Sequence, residues 1–154
     1  MNSGPKLAST FGMSVGSMIV GNQDLIERCR VIRKMLGGGM RQAGVLAAAA
    51  LVALEEGPKR LHLDHENAKL LAQGLANIPR IRIQAEKVQT NIVLYDVSET
   101  GMTSMEFLKR VGERSVLGGP VDARRVRMVT HLDVDRADIE QALRIIGEVV
   151  GAGF

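Results

Sequence analysis

The stretch Leu36–Leu54, LGGGMRQAGVLAAAALVAL, joins three glycines and an arginine to a long apolar run. A helix start carries unpaired N–H groups and the positive end of the helix dipole, and glycines let the backbone approach a phosphate without a Cβ in the way. The pattern therefore predicts an anion-receptive turn that opens a helix over about Arg41–Glu56. In the alternative interpretation, Gly37 ends the preceding helix and the other two glycines form a plain turn.

The helix over Arg41–Glu56 is apolar on every side, being built almost entirely from Ala, Leu and Val. A helix that is apolar all round is typical of one buried between layers or against another subunit. We therefore expect its surface to be covered.

The composition limits the class of protein. The chain has 154 residues, 45% hydrophobic and 24% charged, as expected for a soluble globular domain or part of a larger one. The net charge of +3 is spread along the chain and aromatic residues make up only 3%, so nucleic-acid binding is not favoured. The single cysteine, Cys29, cannot form an internal disulfide, which indicates a reducing compartment.

Membrane and secretion signals are not predicted. The longest apolar run, residues 43–54, is too short to span a bilayer. The first ten residues lack the continuous apolar stretch of a secretory signal. We therefore predict a cytoplasmic protein, with an organelle matrix as the alternative.

Residues before Asn77 are predicted to form a strand and three helices. Asn22 caps the first helix, Gly57-Pro58 stops the second and Pro79 closes off the third. The third helix has an apolar face of Leu61, Ala68, Leu71, Ala72 and Leu75. The predicted elements are the strand Val15–Val20 and the helices Gln23–Leu36, Arg41–Glu56 and Lys59–Asn77.

Beyond residue 80 the pattern changes to short strands and helices. Ile81, Ile83 and Ala85 alternate with polar residues, and Asn91–Val97 is a more continuous apolar strand, so the two predict an antiparallel pair. The other predicted elements are a helix capped by Thr103 or Ser104 that packs through Met105, Leu108 and Val111, a short run Ser115–Leu117 before a Gly-Gly-Pro turn, a strand over 125–131, and a helix from about Asp135 to Gly151. The fold class is thus α/β with a C-terminal α+β unit, in which helices precede a small, mostly antiparallel sheet covered by helices.

Arg127 is the most informative polar residue of the predicted strands, because its strand neighbours are apolar. A buried guanidinium needs an anionic partner. A substrate carboxylate would serve, and so would a structural ion pair with Asp96, Asp122 or Asp133. His62, Asp64, His65 and Glu66 lack the fixed spacing of a metal site, and no metal site is predicted.

Several segments together resemble the low-specificity L-threonine aldolases, which are pyridoxal-phosphate enzymes of the aspartate-aminotransferase fold type. The segment VGSMIVGNQDLIERCRVIRKMLGGGMRQAGVLAAAALVAL is similar to the one that follows the cofactor lysine in that family. DHENAKLLAQGL, TNIVLYDV and VRMVTHLDV also match, in order and at the family's spacing. The resemblance covers residues 8–150 and corresponds to the C-terminal half of such an enzyme.

The resemblance implies a partial aminotransferase-like fold with two domains. Residues 1–58 would be the remnant of the pyridoxal-phosphate-binding large domain, with a strand, a helix, the glycine-rich turn and the buried helix. Residues 59–154 would be the small C-terminal α+β domain.

The resemblance places Ser9 where the family has its cofactor lysine, since Lys6 is three residues too early. A seryl hydroxyl cannot form the Schiff base, so no catalytic residue is assigned. The family motif whose aspartate holds the pyridine nitrogen belongs upstream of the lysine and would precede Met1.

The resemblance also implies roles for four residues. Arg127 would bind the amino-acid substrate through its carboxylate, whereas Gly38, Gly39 and Arg41 would lie near the cofactor phosphate and act across a dimer interface. Complete enzymes of the family cleave L-threonine or L-allo-threonine to glycine and acetaldehyde. For this chain, a truncated homologue, we expect no activity alone and doubtful binding of pyridoxal phosphate. The alternative is a non-catalytic partner or regulatory fragment that assembles with full-length subunits.

Overall fold

The structure, a computed structural model, describes residues 19–151. Its helices are α1 (Gln23–Met35), α2 (Gly44–Ala76), α3 (Ser104–Gly112) and α4 (Arg136–Gly151), and its strands are β1 (Ile92–Asp96), β2 (Gly119–Pro120) and β3 (Arg125–Val129). Two short 3₁₀ turns lie at Ala85–Lys87 and Ser98–Thr100. The chain divides into two compact units between Leu61 and His62. The assignment of residues 1–58 and 59–154 to a large and a small enzyme domain stays a prediction.

Helix α1 begins and ends as the sequence predicts. The Asn22 side chain accepts a hydrogen bond from the Leu25 amide at 2.9 Å, which satisfies one of the unpaired amides of the first turn. At the other end Gly37 has a φ of +80°, in the left-handed region. The predicted strand Val15–Val20 lies mostly outside the described residues, and Ile19 and Val20 are not in a strand.

Helix α2 corrects two predictions. It begins at Gly44 and not at Arg41, because residues 41–43 form a turn, and it continues for 33 residues through Pro58. The predicted break at Gly57-Pro58 is therefore wrong. Pro58 lacks the N–H that would bond the Leu54 carbonyl, but both residues are exposed and water can reach that carbonyl.

The first half of α2 does not bury its apolar surface within the described chain. Ala53 is buried, whereas Val45 is 75% exposed, Leu51 is 68% exposed and Val52 is 62% exposed. The expectation that this surface is covered is not met by the residues that the structure describes.

The sheet has the order β1-β3-β2 and both pairings are antiparallel. The predicted strand Ile81–Ala85 does not form. The only pairing of this segment with β1 is a single bridge between Arg82 and Asp96, after which the chain enters the 3₁₀ turn Ala85–Lys87. The strands predicted over 91–97 and 125–131 are confirmed as β1 and β3.

One core fills the unit from His62 onward. The second half of α2 contributes its predicted face, with Ala68, Leu71, Ala72 and Leu75 all buried. Tyr95 and Phe107 meet edge to face with their ring centroids 6.0 Å apart. The other fully buried apolar side chains are Val93, Val97, Val111, Val126 and Ile146.

Helices α3 and α4 cover one face of the sheet. The Thr103 hydroxyl and the Glu106 carboxylate form a reciprocal capping box at the start of α3, so the predicted cap is confirmed. The prediction that Met105 packs against the core is wrong, because Met105 is 64% exposed and Phe107 is the buried residue. Helix α4 starts at Arg136, within a residue of its predicted start.

Candidate functional site

Arg127 lies on the open face of the sheet, at its middle strand. In the register, Arg127 faces Leu94 of β1 on one side and Gly119 of β2 on the other. Alternation along β3 buries Val126 and Met128 under the helices, so Arg127 points to the opposite face and is exposed. The predicted two-face pattern of this strand is confirmed.

None of the three predicted ion-pair partners is used by Arg127. Asp122 pairs with Arg125 at 2.7 Å, Asp133 lies 3.6 Å from His131, and the Asp96 carboxylate accepts hydrogen bonds from Ser98. Within residues 19–151, no ion pair involves Arg127. The premise that this arginine is buried was wrong, and because it is exposed its guanidinium needs no internal partner.

Asp122 and Asp96 are held ionised by local hydrogen bonds. The Arg124 amide, the Arg125 side chain and the Arg125 amide together lower the pKa of Asp122 to about 2. The Ser98 hydroxyl and amide lower the pKa of Asp96. Both carboxylates are thus occupied within their own turns, which leaves Arg127 available to an anion from outside.

The surroundings of Arg127 suit a small carboxylate. Leu94 and Ile92 share the open face and are 49% and 44% exposed, and Gly119 adds no side chain beside the guanidinium. A guanidinium binds a carboxylate through two parallel hydrogen bonds. This face can therefore orient a molecule that has a carboxylate and a small apolar part.

The glycine-rich turn has a structural role at Gly37. The Gly38 amide bonds the Arg33 carbonyl at 2.8 Å and the Gly37 amide bonds the Lys34 carbonyl at 3.1 Å, which is the Schellman pattern of a helix end. Of the two interpretations of the sequence, the helix-ending one holds for Gly37. A Cβ on Gly38 would lie 2.9 Å from the Arg33 side chain, so a side chain is disfavoured there too.

Gly39 and Arg41 lie between α1 and α2 rather than in the first turn of α2. Gly38, Gly39 and Arg41 are exposed, and in the described chain Arg41 takes part in no ion pair. An exposed cation ahead of the free amides of a helix start is suited to a phosphate. The glycine turn belongs to the unit before His62 and Arg127 to the unit after it.

Sequence reasoning missed a set of hydrogen bonds that fixes the end of β3. The Thr130 hydroxyl donates to the Asp64 carbonyl at 2.7 Å, and the Asn91 side chain donates to the Thr130 carbonyl at 2.9 Å. The Thr130 amide donates to the Asn91 carbonyl at 2.9 Å. These bonds tie the strand that carries Arg127 to β1 and α2. The only sequence signal was a threonine on the buried face of a predicted strand.

Between residues 19 and 151, no helix is long and apolar enough to cross a membrane. In the same range, no three His, Cys, Asp or Glu side chains are grouped so as to hold a metal ion. Ser9, at the lysine position of the resemblance, lies outside the described residues.

Solved structures identify the fold that this chain shares. A NifS-like protein superposes with a TM-score of 0.60 and 15% identity, over 69% of this chain and 32% of that chain. A complex of the cystine C–S lyase C-DES with cysteine persulfide has a TM-score of 0.57 and 18% identity, over 66% of this chain and 27% of that chain. The fold is therefore part of the aminotransferase-type fold.

The family follows from the sequence matches. The family model for beta-eliminating lyases matches residues 7–99, and the chain belongs to this family. It is 41% identical over 138 residues to low-specificity L-threonine aldolase 1 of Arabidopsis thaliana, and 39% identical over 138 residues to the low specificity L-threonine aldolase of Escherichia coli K12. These matches cover 89% and 88% of this chain but only 38% of each relative.

Pyridoxal phosphate is the cofactor of this family, and the residues present fit only part of it. The exposed turn with Gly38, Gly39 and Arg41 suits its phosphate. In the resemblance, Ser9 stands at the position of the lysine whose amine holds the cofactor covalently, and a hydroxyl could not replace that amine.

Proposed function

We propose that this chain carries the carboxylate-binding and phosphate-side elements of a threonine-aldolase-like lyase and does not cleave threonine alone. The reaction of such a lyase splits L-threonine or L-allo-threonine into glycine and acetaldehyde. Pyridoxal phosphate, when bound, supplies the electron sink for that cleavage. In this proposal the setting is threonine catabolism in the cytoplasm, in a homo-oligomer or in an assembly with full-length subunits.

The observation that carries the proposal is the state of Arg127. This arginine is exposed on the open sheet face, and Asp96, Asp122 and Asp133 all bond other groups. In our proposal Arg127 binds the substrate carboxylate and so fixes the orientation of the amino acid. Gly38, Gly39 and Arg41 would receive the phosphate of the cofactor.

The proposed lack of activity depends on Ser9. Its hydroxyl cannot attach the cofactor covalently, and it cannot act as the amine that returns at the end of a reaction cycle. In this proposal, the chain by itself therefore carries out no step of the cleavage.

An activity assay tests this part of the proposal. The purified chain is mixed with pyridoxal phosphate and L-threonine or L-allo-threonine, and acetaldehyde is followed by its enzymatic reduction. The Escherichia coli enzyme, assayed in parallel, is the positive control. We expect no acetaldehyde above the protein-free rate, and cleavage at a rate comparable with the control would refute the proposal.

The exposed first half of α2 supports the alternative of a non-catalytic partner. Val45, Leu51 and Val52 are each at least 62% exposed on the same helix, and an exposed apolar surface is typical of a site that binds another protein. A full-length subunit that covers this surface would gain the glycine turn and Arg41 of this chain.

Co-purification tests the alternative with a matched pair of variants. The tagged chain is co-expressed with a full-length homologue, and the untagged partner is quantified after affinity capture. Leu51→Asp should abolish capture because it places a charge in the proposed contact, whereas Met105→Asp, at an exposed position in the other unit, should leave capture unchanged. A chain that remains a stable monomer beside the homologue would contradict this alternative.

A further inference from the structure

The outer edge of β1 has hydrogen-bonding groups that nothing in the described chain uses. Asp96 exchanges two backbone hydrogen bonds with Arg82, at 3.0 Å and 2.8 Å, on the side of β1 away from β3. Backbone groups of a strand alternate in direction with a period of two residues. The N–H and C=O groups of Leu94 and Ile92 therefore also point to this outer side.

The edge beyond Arg82 is uncovered because the neighbouring segment turns away. The Lys87 amide bonds the Gln84 carbonyl at 3.0 Å, which closes the 3₁₀ turn instead of continuing a strand. As a result, no backbone hydrogen bond from residues 19–151 reaches the outer groups of Ile92 or Leu94. An unpaired strand edge of this kind is a template for one more strand.

A groove of about 760 Å³ runs beside this free edge. Its aliphatic lining comes from both sides of the groove and includes Ile81, Ile83, Val88, Ile92 and Leu94. The aliphatic residues supply a surface for alternate side chains of an added strand, which is how strand addition gains specificity.

The charges of the groove favour an acidic occupant. Arg82, Lys87 and Arg125 line it, and Asp96 is its only acidic lining residue. Arg82 pairs with Glu99 and Arg125 with Asp122, and the Asp96 carboxylate is occupied by Ser98. Lys87 has no ion-pair partner among the described residues, so it is the cation available to a bound peptide.

We propose that the outer edge of β1 binds a short extended segment of a partner protein with alternating acidic and aliphatic residues. The segment adds as a fourth strand beside Ile92–Leu94, its aliphatic side chains lie in the groove and a carboxylate faces Lys87. The pairing is short because Arg82 already occupies the edge at Asp96. This binding site shares Ile92 and Leu94 with the surroundings of Arg127, but the Arg127 guanidinium does not line the groove, and the proposal does not depend on lyase chemistry.

A second copy of this chain is a poorer occupant of the same edge. A two-fold pairing of β1 with itself would place Ile92 opposite Leu94 of the other copy. The preceding residues of that copy would then run beside Asp96, at the position that Arg82 holds. A short peptide meets no such obstacle.

The binding test uses the whole chain and two synthetic probes, fluorescein-labelled Glu-Val-Glu-Val-Glu and Lys-Val-Lys-Val-Lys, followed by fluorescence anisotropy. We expect the acidic probe to bind with a Kd below about 1 mM and the basic probe to bind at least about tenfold more weakly. Equal binding of the two probes, or no binding of the acidic one, overturns the proposal.

Two matched pairs of variants locate the binding. Leu94→Pro removes the outward N–H and should weaken the acidic probe about tenfold or more, whereas Leu94→Val keeps that N–H and should bind as the unchanged chain does. Lys87→Glu should weaken binding, whereas Lys69→Glu, at an exposed position on α2, makes the same change in net charge and should not. A folded Leu94→Pro chain that binds normally overturns the proposal.

If Leu94→Pro does not fold, amide hydrogen exchange of the unchanged chain tests whether the probe pairs with the edge of β1. The acidic probe should slow exchange at Ile92 and Leu94 and leave Met105, on the other side of the sheet, unaffected. Unchanged exchange at both edge amides overturns strand addition. Self-association that competes with the probe would instead identify a second copy as the occupant and also overturn the proposal.

Discussion

Residues 19–61 and residues 62–151 contain the same kinds of apolar residues but bury them very differently. After His62, side chains such as Leu75, Val93 and Phe107 are completely buried. Before it, only Ala53 and Gly57 are buried among the described residues. A layer of strands lies opposite the helices in the second unit, whereas the helices of the first have no such layer in the described chain. The apolar sequence of a helix thus predicts that its surface is buried, but it does not predict which element or partner buries it.

The two units can be followed separately by spectroscopy. Tyr95 is the only tyrosine, the chain has no tryptophan, and Tyr95 is buried in the unit after His62. Tyrosine fluorescence therefore reports on that unit, whereas far-ultraviolet circular dichroism reports on the helices of both.

The largest expected effect is at Phe107, whose ring packs on Tyr95 and is completely buried. Phe107→Ala should lower the free energy of unfolding by about 3–5 kcal/mol, because it leaves a cavity as well as losing burial. Met105→Ala, two residues earlier in α3 and 64% exposed, should change it by less than about 0.5 kcal/mol. Urea unfolding followed by tyrosine fluorescence measures both. Equal losses would mean that α3 is not packed as described.

The second largest expected effect on stability distinguishes Gly74 from Gly147, which both lie in helices. A Cβ on Gly74 would lie 2.3 Å from the Leu143 side chain, whereas one on Gly147 would meet nothing within 4 Å. Gly74→Ala should therefore destabilise by about 1–3 kcal/mol, despite the better helix propensity of alanine. Gly147→Ala should stabilise by about 0.5–1 kcal/mol. Thermal unfolding should give shifts of opposite sign, and a stabilising Gly74→Ala would contradict the packing of α2 on α4.

A smaller effect concerns acid stability. The hydrogen bonds of the Arg124 amide and the Arg125 side chain lower the pKa of Asp122 from 3.8 to about 2. A lowered carboxyl pKa stabilises the folded state fully above the unfolded value, and this stability is lost as the pH falls from about 4 to about 2. Asp122→Asn should flatten that part of the pH profile of the urea midpoint. Asp133→Asn, whose side chain is 82% exposed, is the control that should leave the profile unchanged.

The smallest effect on folding is expected in the first half of α2. Leu51→Ala removes a side chain that is 68% exposed, so the stability of the isolated chain should change by less than about 0.5 kcal/mol. The helix content measured by circular dichroism should stay the same. A loss of several kcal/mol would show that this surface is covered in the chain itself, and the contrast between the two units would then be withdrawn.

Local rules account for the predictions that succeeded. Asn22 and Thr103 were recognised as caps because their side chains bond amides only three residues away. Alternation along β3 separated Val126 and Met128 from Arg127 because side chains of a strand alternate between faces.

The failures needed knowledge of distant contacts. Pro58 predicts a helix end by its local chemistry, yet α2 continues through it because that side of the helix is exposed. Ile81 and Ile83 have a strand pattern, yet only Arg82 pairs with β1 before the chain turns.

The sequence by itself determined the helix caps, the faces of β1 and β3, the core face of α2 and the family to which the chain belongs. These depend on local periodicity, on hydrogen bonds between near neighbours and on residue identity. Only the tertiary structure decided that Arg127 has no ion-pair partner among the described residues, that the Thr130 hydroxyl bonds the Asp64 carbonyl, and that residues 19–151 leave the outer edge of β1 unpaired at Ile92 and Leu94. Those properties depend on which distant groups lie within hydrogen-bonding distance, and no local pattern of residues specifies that distance.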